Sequence, residues 1–292
     1  MSTLAAIGQH IKLHDGRVLG YAEYGDLKGK PIFHFHGANS SRLSGRDLDL
    51  AATKLNARII VAERPGFGLS DFKPGRQILD WSDDVSELAD ALQLDRFAVM
   101  GLSAGSPYVL ACALKIPQRL TAAAIVSGDG PHGVLGTNDG MLYSMRLVST
   151  LCRRAPWLLR MFVGLTDHTA RHYPNRFFSY LTARLAEPDK ALLARPEIRQ
   201  NYIANFIESH RYGTRGAVWD MVLISRPWEL QLQDIAIKVY LWHGGADTAS
   251  SPAMGRYIAH AIPNCQAKFY PGEGHLSLLI NRLEEILSFL VS

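Results

Sequence analysis

Cysteine is scarce in this 292-residue chain: only Cys112, Cys152 and Cys265 occur. An odd, sparse set without paired spacing argues against a disulfide framework and against a structural zinc site. No uninterrupted apolar stretch reaches the ~18 residues that a membrane-spanning helix needs. Met1 to His10 has neither a basic head nor a long apolar run, so no signal peptide is read there and a cytoplasmic location is expected. Charge of one sign is in short supply too. A net charge of +4 and a pI near 8.9, without a long Lys/Arg run, give no footing for nucleic-acid binding. No cluster of His, Asp and Glu has metal-ligand spacing, and no Gly-rich phosphate loop follows a first strand, so neither metal nor cofactor is expected.

What is present is ordinary for a globular chain, 47% hydrophobic and 20% charged, enough for one large domain or a domain carrying an insertion. Two alternating segments, Gln9 to Leu13 and Val18 to Tyr24, flank the Asp15-Gly16 pair and predict a hairpin. Apolar runs at Pro31 to His36, Ala57 to Ala62, Phe97 to Met100 and Leu120 to Val126 then alternate with helical stretches near Arg46 to Leu55, Asp80 to Leu92 and Ala104 to Lys115. Continuous runs alternating with helices predict a mostly parallel sheet covered on both faces. The pattern breaks near Pro131. From there to Asp234 the chain reads as several helices punctuated by prolines, before strands resume at Ile237 to Trp242 and Ala267 to Tyr270, with helices near Ala253 to Ala261 and Leu283 to Leu290.

The expected division is therefore a core of residues 1–130 and 233–292 with a helical insertion at 131–232. That insertion holds 13 Lys/Arg against 8 Asp/Glu, so the excess positive charge lies there. It is also rich in aromatics and methionine (Met141, Tyr143, Met145, Trp157, Phe162, Phe177, Phe178, Tyr180, Tyr202, Phe206, Tyr212 and Trp219), most of which are expected to pack within the insertion and against the sheet.

Ser103 stands in Gly101-Leu-Ser-Ala-Gly105, between an apolar run and an Ala-rich helical stretch. A strand, a sharp turn and a helix in succession can hold a serine hydroxyl exposed beside a helix N-terminus, and a Cβ at either glycine would collide with neighbouring backbone. A Gly/Ser turn capping a helix would read the same way, so the remaining apparatus must decide. A serine nucleophile needs a base, a group to orient it and oxyanion donors. His275, in the Gly-rich loop after the last strand, is the candidate base. Asp247, in the loop after the preceding strand, is the preferred acid because its loop suits a long reach to the histidine. Asp129 is a second acid at the same sheet edge, whereas Glu273 lies too close to His275 in sequence to orient it. The backbone N–H groups of Ala38 and Ala104 are the candidate oxyanion donors. His34 and His243 are read as packed, hydrogen-bonded core residues.

These residues together resemble an α/β-hydrolase: His36-Gly37-Ala38 after an early strand, Glu63-Arg64-Pro-Gly-Phe-Gly-Leu-Ser70 after the next, then Ser103, Asp247 and His275 in the family's order. The likeness spans most of 15–130 and 233–292, with the insertion matching only as a variable helical cap. Glu63 departs from the family's commoner aspartate at a position that is not catalytic, and the Arg64 loop is expected to buttress the site. The resemblance implies a mostly parallel eight-stranded sheet flanked by helices, and a Ser103–His275–Asp247 hydrolase acting on a small or medium carboxylic ester or lactone. A carbon–carbon bond hydrolase with the same triad, or a non-catalytic ligand-binding member of the fold, are the alternatives. The insertion's charge hints at anionic substrates, against the plainer reading of a solvated basic face. The expected partner is a small acyl compound, with neither nucleic acid nor membrane, and a monomer or homodimer.

Overall fold

The computed structural model describes residues 7–131, 137, 139–183 and 185–292. Met1 to Ala6, and the stretch just past Pro131 where the insertion is expected to begin, lie outside the described residues.

Eight strands form one sheet: β1 (Ile7–Lys12), β2 (Val18–Gly25), β3 (Lys30–Phe35), β4 (Ala57–Ala62), β5 (Phe97–Leu102), β6 (Leu120–Val126), β7 (Val239–Gly244) and β8 (Cys265–Tyr270). Their order across the sheet is β1-β2-β4-β3-β5-β6-β7-β8. β2 is antiparallel to both neighbours, and every pair from β4 to β8 is parallel. The Asp15-Gly16 hairpin closes through a Leu13 N–H to Arg17 carbonyl bond of 2.8 Å, with Gly16 at φ +89°, a conformation open to glycine.

Among the described residues six helices belong to the core: α1 (Asp49–Lys54), α2 (Trp81–Ala91) and α3 (Ser106–Lys115) before the insertion, and α10 (Pro252–Ala261), α11 (Ser277–Asn281) and α12 (Leu283–Leu290) after it. Among the described residues the insertion contributes α4 (Tyr143–Arg154), α5 (Pro156–His172), α6 (Pro174–Thr182), α7 (Glu187–Leu193), α8 (Pro196–Ser209) and α9 (Arg215–Ser225) between β6 and β7. Prolines open α5, α6 and α8, where a missing N–H costs nothing. One apolar cluster packs α2, α3 and α10 on one sheet face, and a second packs α1, α11 and α12 on the other. Strand side chains are thus buried on both faces, which is why β4 and β5 read as continuous apolar runs.

Two expectations need correction. The helix expected from Arg46 begins instead as a 3-10 turn over Arg42–Asp47, and α1 is confined to Asp49–Lys54. The helix after Ser103 opens with a 3-10 turn over Ser103–Gly105. Of the insertion's aromatics and methionines, Met141, Phe177, Phe178 and Phe206 are buried as expected, while Tyr143, Trp157, Phe162, Tyr180 and Tyr212 are exposed. Met145 lies among residues whose side chains are not described.

Candidate active site

Most of the expected site residues gather at the C-terminal edge of the parallel strands. Ser103 follows β5 directly and holds φ at +53°, a left-handed conformation that costs a non-glycine residue ~1–2 kcal/mol. Asn39 after β3 and Ser127 after β6, at the same edge, share this conformation at φ +48° and +46°. The flanking glycines are steric necessities. A Cβ on Gly101 would sit 2.6 Å from the Gly105 carbonyl oxygen, and one on Gly105 would sit 2.2 Å from that of Phe35. The Ser106 hydroxyl donates to the Ser103 carbonyl at 2.7 Å and closes the turn.

The His275 Nδ1 lies 2.7 Å from Asp247 Oδ2. Asp247 Oδ1 accepts the N–H groups of Ala249 and Ser250, each at 2.9 Å, so the buried carboxylate is fixed at both oxygens. Burial disfavours the His275 imidazolium, but the charge and hydrogen bond of Asp247, with Asp129 and Asp189 nearby, outweigh it and raise the pKa to about 9. Asp129 does not take the acid's place beside the histidine. Its Oδ1 accepts the Ser250 hydroxyl, and it bears on His275 through charge alone.

Around the other candidate donor, the Arg64 guanidinium donates to the carbonyls of His36 (2.5 Å) and Gly37 (3.1 Å). His36 is kept neutral by burial and by the Arg64 charge, and accepts the Arg64 N–H at Nε2, 3.3 Å away. A Cβ on Gly37 would lie 3.7 Å from the Ser103 Cβ, so the two loops adjoin. Glu63 is buried, receives Arg42 Nη1 at 2.9 Å and the Leu69 N–H at 2.7 Å, and so braces the loop after β4. His243 Nε2 lies 2.9 Å from the Ser250 carbonyl, as a packed core histidine should. His34 is packed but not hydrogen-bonded to protein; burial lowers its pKa to about 4 and leaves a neutral ring.

A cavity of about 340 Å³ borders Ala38, Ser103, Ala104, Asp129 and His275. Insertion residues such as Val148, Leu181, Leu192, Tyr202 and Met221 close its other side. Among the described residues that line it there is no Lys or Arg. Its carboxylates are Asp129 and Asp47, the latter pushed up by burial. Among the described residues no group of three or more His, Cys, Asp and Glu could hold a metal ion, and no helix is long and apolar enough to cross a membrane.

Reading the sequence missed Asp189 and Asp220. Asp189 accepts the backbone N–H groups of His275, Leu276 and Ser277, while Asp220 pairs with Arg64. Each lies within an insertion helix, 86 and 156 positions from its partner, and no local motif marks either one.

The profile of the alpha/beta hydrolase fold family matches residues 30–281, and the chain belongs to that family. An uncharacterized hydrolase of Saccharomyces cerevisiae is 30% identical over 44% of this chain and 45% of its own length. The chain thus spans less than half of that relative. A putative 2-succinyl-6-hydroxy-2,4-cyclohexadiene-1-carboxylate synthase of Bacillus subtilis is 23% identical over 91% of both chains. Among solved structures, the esterase RhEst1 from a Rhodococcus superposes with a TM-score of 0.70 at 20% identity, covering 98% of this chain and 99% of its own. The enol-lactonase of Burkholderia xenovorans does so at 0.68 and 18%, covering 97% and 96%. Those likenesses establish the shared fold.

Proposed function

We propose that this protein is a serine hydrolase that cleaves a small or medium, uncharged carboxylic ester or lactone through an acyl-enzyme. The observation that carries this reading is the 2.7 Å His275–Asp247 contact beside a cavity shared with a serine held at φ +53°. His275 takes the Ser103 proton as the hydroxyl oxygen attacks the substrate carbonyl, and Asp247 holds the imidazole by its Nδ1 and stabilises the imidazolium. The N–H groups of Ala38 and Ala104 receive the oxyanion. As the tetrahedral species collapses, the bond to the leaving oxygen breaks and His275 returns its proton there. Water, deprotonated by His275, then attacks the acyl-enzyme, and Ser103 leaves with the proton restored.

The cavity supports an uncharged substrate. Among the described lining residues, a buried carboxylate would meet Asp47 and Asp129 and no cation other than His275, which Asp247 already pairs, and an unpaired buried charge is strongly disfavoured. The carboxylate in the name of the Bacillus relative's product therefore finds no counterpart here, and the insertion's positive charge reads as a solvated face. We assign residues 131–232 the role of a cap that shields the acyl-enzyme from bulk water.

A fluorophosphonate probe tests the chemistry. Labelling of the wild type that is lost in Ser103→Ala, with turnover of neutral esters or lactones across a panel of acyl lengths, supports it. Folded wild type that resists the probe, or a preference for diketones or anionic esters, overturns the reaction or the substrate class respectively.

A further inference from the structure

We propose that the cap is a working part of the catalytic apparatus, with two of its buried aspartates acting as positioning residues: Asp189 for the base His275, and Asp220 for the oxyanion donor Ala38. The proposal rests on the serine-hydrolase reading above.

Asp189, on α7, is 1% exposed. Its Oδ2 accepts the His275 N–H at 2.8 Å, and its Oδ1 accepts those of Leu276 and Ser277 at 2.9 Å each. A buried carboxylate is tolerated when charge-assisted hydrogen bonds satisfy it, and here the three donors are consecutive residues of the histidine loop. The fit is close. A Cβ on Gly274 would lie 2.5 Å from Asp189 Oδ2, so the loop is shaped around this side chain. Asp247 thus holds the ring of His275 while Asp189 holds its backbone.

Asp220, on α9, works one step removed. Its carboxylate meets Arg64 at 2.9 Å and Arg76 at 2.5 Å, and accepts the Tyr108 hydroxyl. Arg64 lies over the rings of Tyr108 and Phe67, 4.9 and 5.2 Å from their centroids, which fixes its plane. Its remaining donors hold the carbonyls of His36 and Gly37. The Gly37 carbonyl and the Ala38 N–H belong to one trans peptide unit, so they point in opposite directions. Holding the oxygen on Arg64 therefore turns the Ala38 N–H away from Arg64. Rotation of that peptide would aim an oxygen where a donor is needed.

The test compares Asp189→Asn, Asp189→Glu and Arg64→Lys in the full chain, with thermal melts to confirm folding. The groups bearing on the His275 ring are Asp247, Asp129, Asp189 and His243. Asp189→Asn removes one of those negative charges, so the acid limb of kcat/KM and the His275 ring titration by NMR should both move to lower pH. Plateau kcat should fall about 10-fold with KM unchanged, the signature of misplacement in the transition state. Asp189→Glu keeps the charge but displaces its oxygens. It should keep the pH limb and lose plateau rate, and it decides the matter should the asparagine variant not fold.

Lysine at position 64 lacks the planar fork with which Arg64 spans Asp220 and both carbonyls at once. Its kcat should fall ~10–100-fold, part or all of the worth of one oxyanion donor, and affinity for a tetrahedral boronate should fall equally while binding of the product acid holds. Rates and ring titrations within twofold or 0.2 pH units of wild type, or equal losses of boronate and product binding, overturn the proposal. Failure of the underlying reading looks different: the wild type itself would lack Ser103-dependent turnover. The substrate-free His275 titration tests Asp189 in that case as well.

Discussion

The sheet and the inserted helices treat apolar side chains in opposite ways. Along β4 and β5 nearly every residue is buried, because helices cover both faces of the sheet. On α5, Leu159, Val163 and Ala170 are buried, while Trp157, Met161 and Leu165 on the other side are 65–67% exposed. In the core, then, composition reports packing. In the insertion it does so on one side only, and beside the apolar Leu223 and Ile224 the side chains that tie it to the site include the polar Asp189, Asp220 and Asn205, whose Oδ1 accepts the Ser41 N–H at 2.8 Å.

If the chemistry resides in the core, Ser103→Ala should lower kcat by ~10⁵–10⁶, measured by ester hydrolysis under substrate saturation. Residual turnover above a tenth of wild type would place the nucleophile elsewhere. Asp247→Asn should cost about 10⁴ by the loss of imidazole orientation, whereas Asp129→Asn should stay within roughly tenfold. The reverse order would make Asp129 the orienting acid.

The pH profile follows from His275. Its pKa stands at about 9, above the ordinary 6.5, and the base acts only when neutral, so kcat/KM should rise with pH and its acid limb should lie above 6.5. A limb at or below 6.5 would show that the surrounding carboxylates do not act together on the ring.

The smallest contrast concerns stability. Phe97→Ala, at a site fully buried against Phe33, should cost ~3–5 kcal/mol in urea unfolding, and Trp157→Ala should stay within ~0.5 kcal/mol. A loss above 1 kcal/mol at Trp157 would mean that the outer face of α5 is covered in solution.

Much of the core was legible because its signals are local. The runs at 57–62, 97–100 and 120–126 became β4, β5 and β6, and the Gly-x-Ser-x-Gly spacing matched a steric demand at Gly101 and Gly105. Asp247 and His275 were readable from their loops after strands. The short α11 and the 3-10 turns escaped notice, since a single turn carries little periodicity. Which of the insertion's aromatics pack, Phe177 and Phe206 but not Trp157 or Tyr180, is not written in composition, which does not say which side of a helix faces water.

By itself the sequence determined the α/β order, the strand runs and the candidates proposed for acyl chemistry, because period, turn sterics and side-chain type act over a few neighbouring positions. Only the tertiary structure decided that Asp247 rather than Asp129 meets His275, that no Lys or Arg is among the described residues lining the cavity, and that two aspartates from helices between β6 and β7 reach the histidine loop and Arg64. Those outcomes depend on contacts across 28 to 156 positions, and chain closure over such lengths leaves no mark on local pattern.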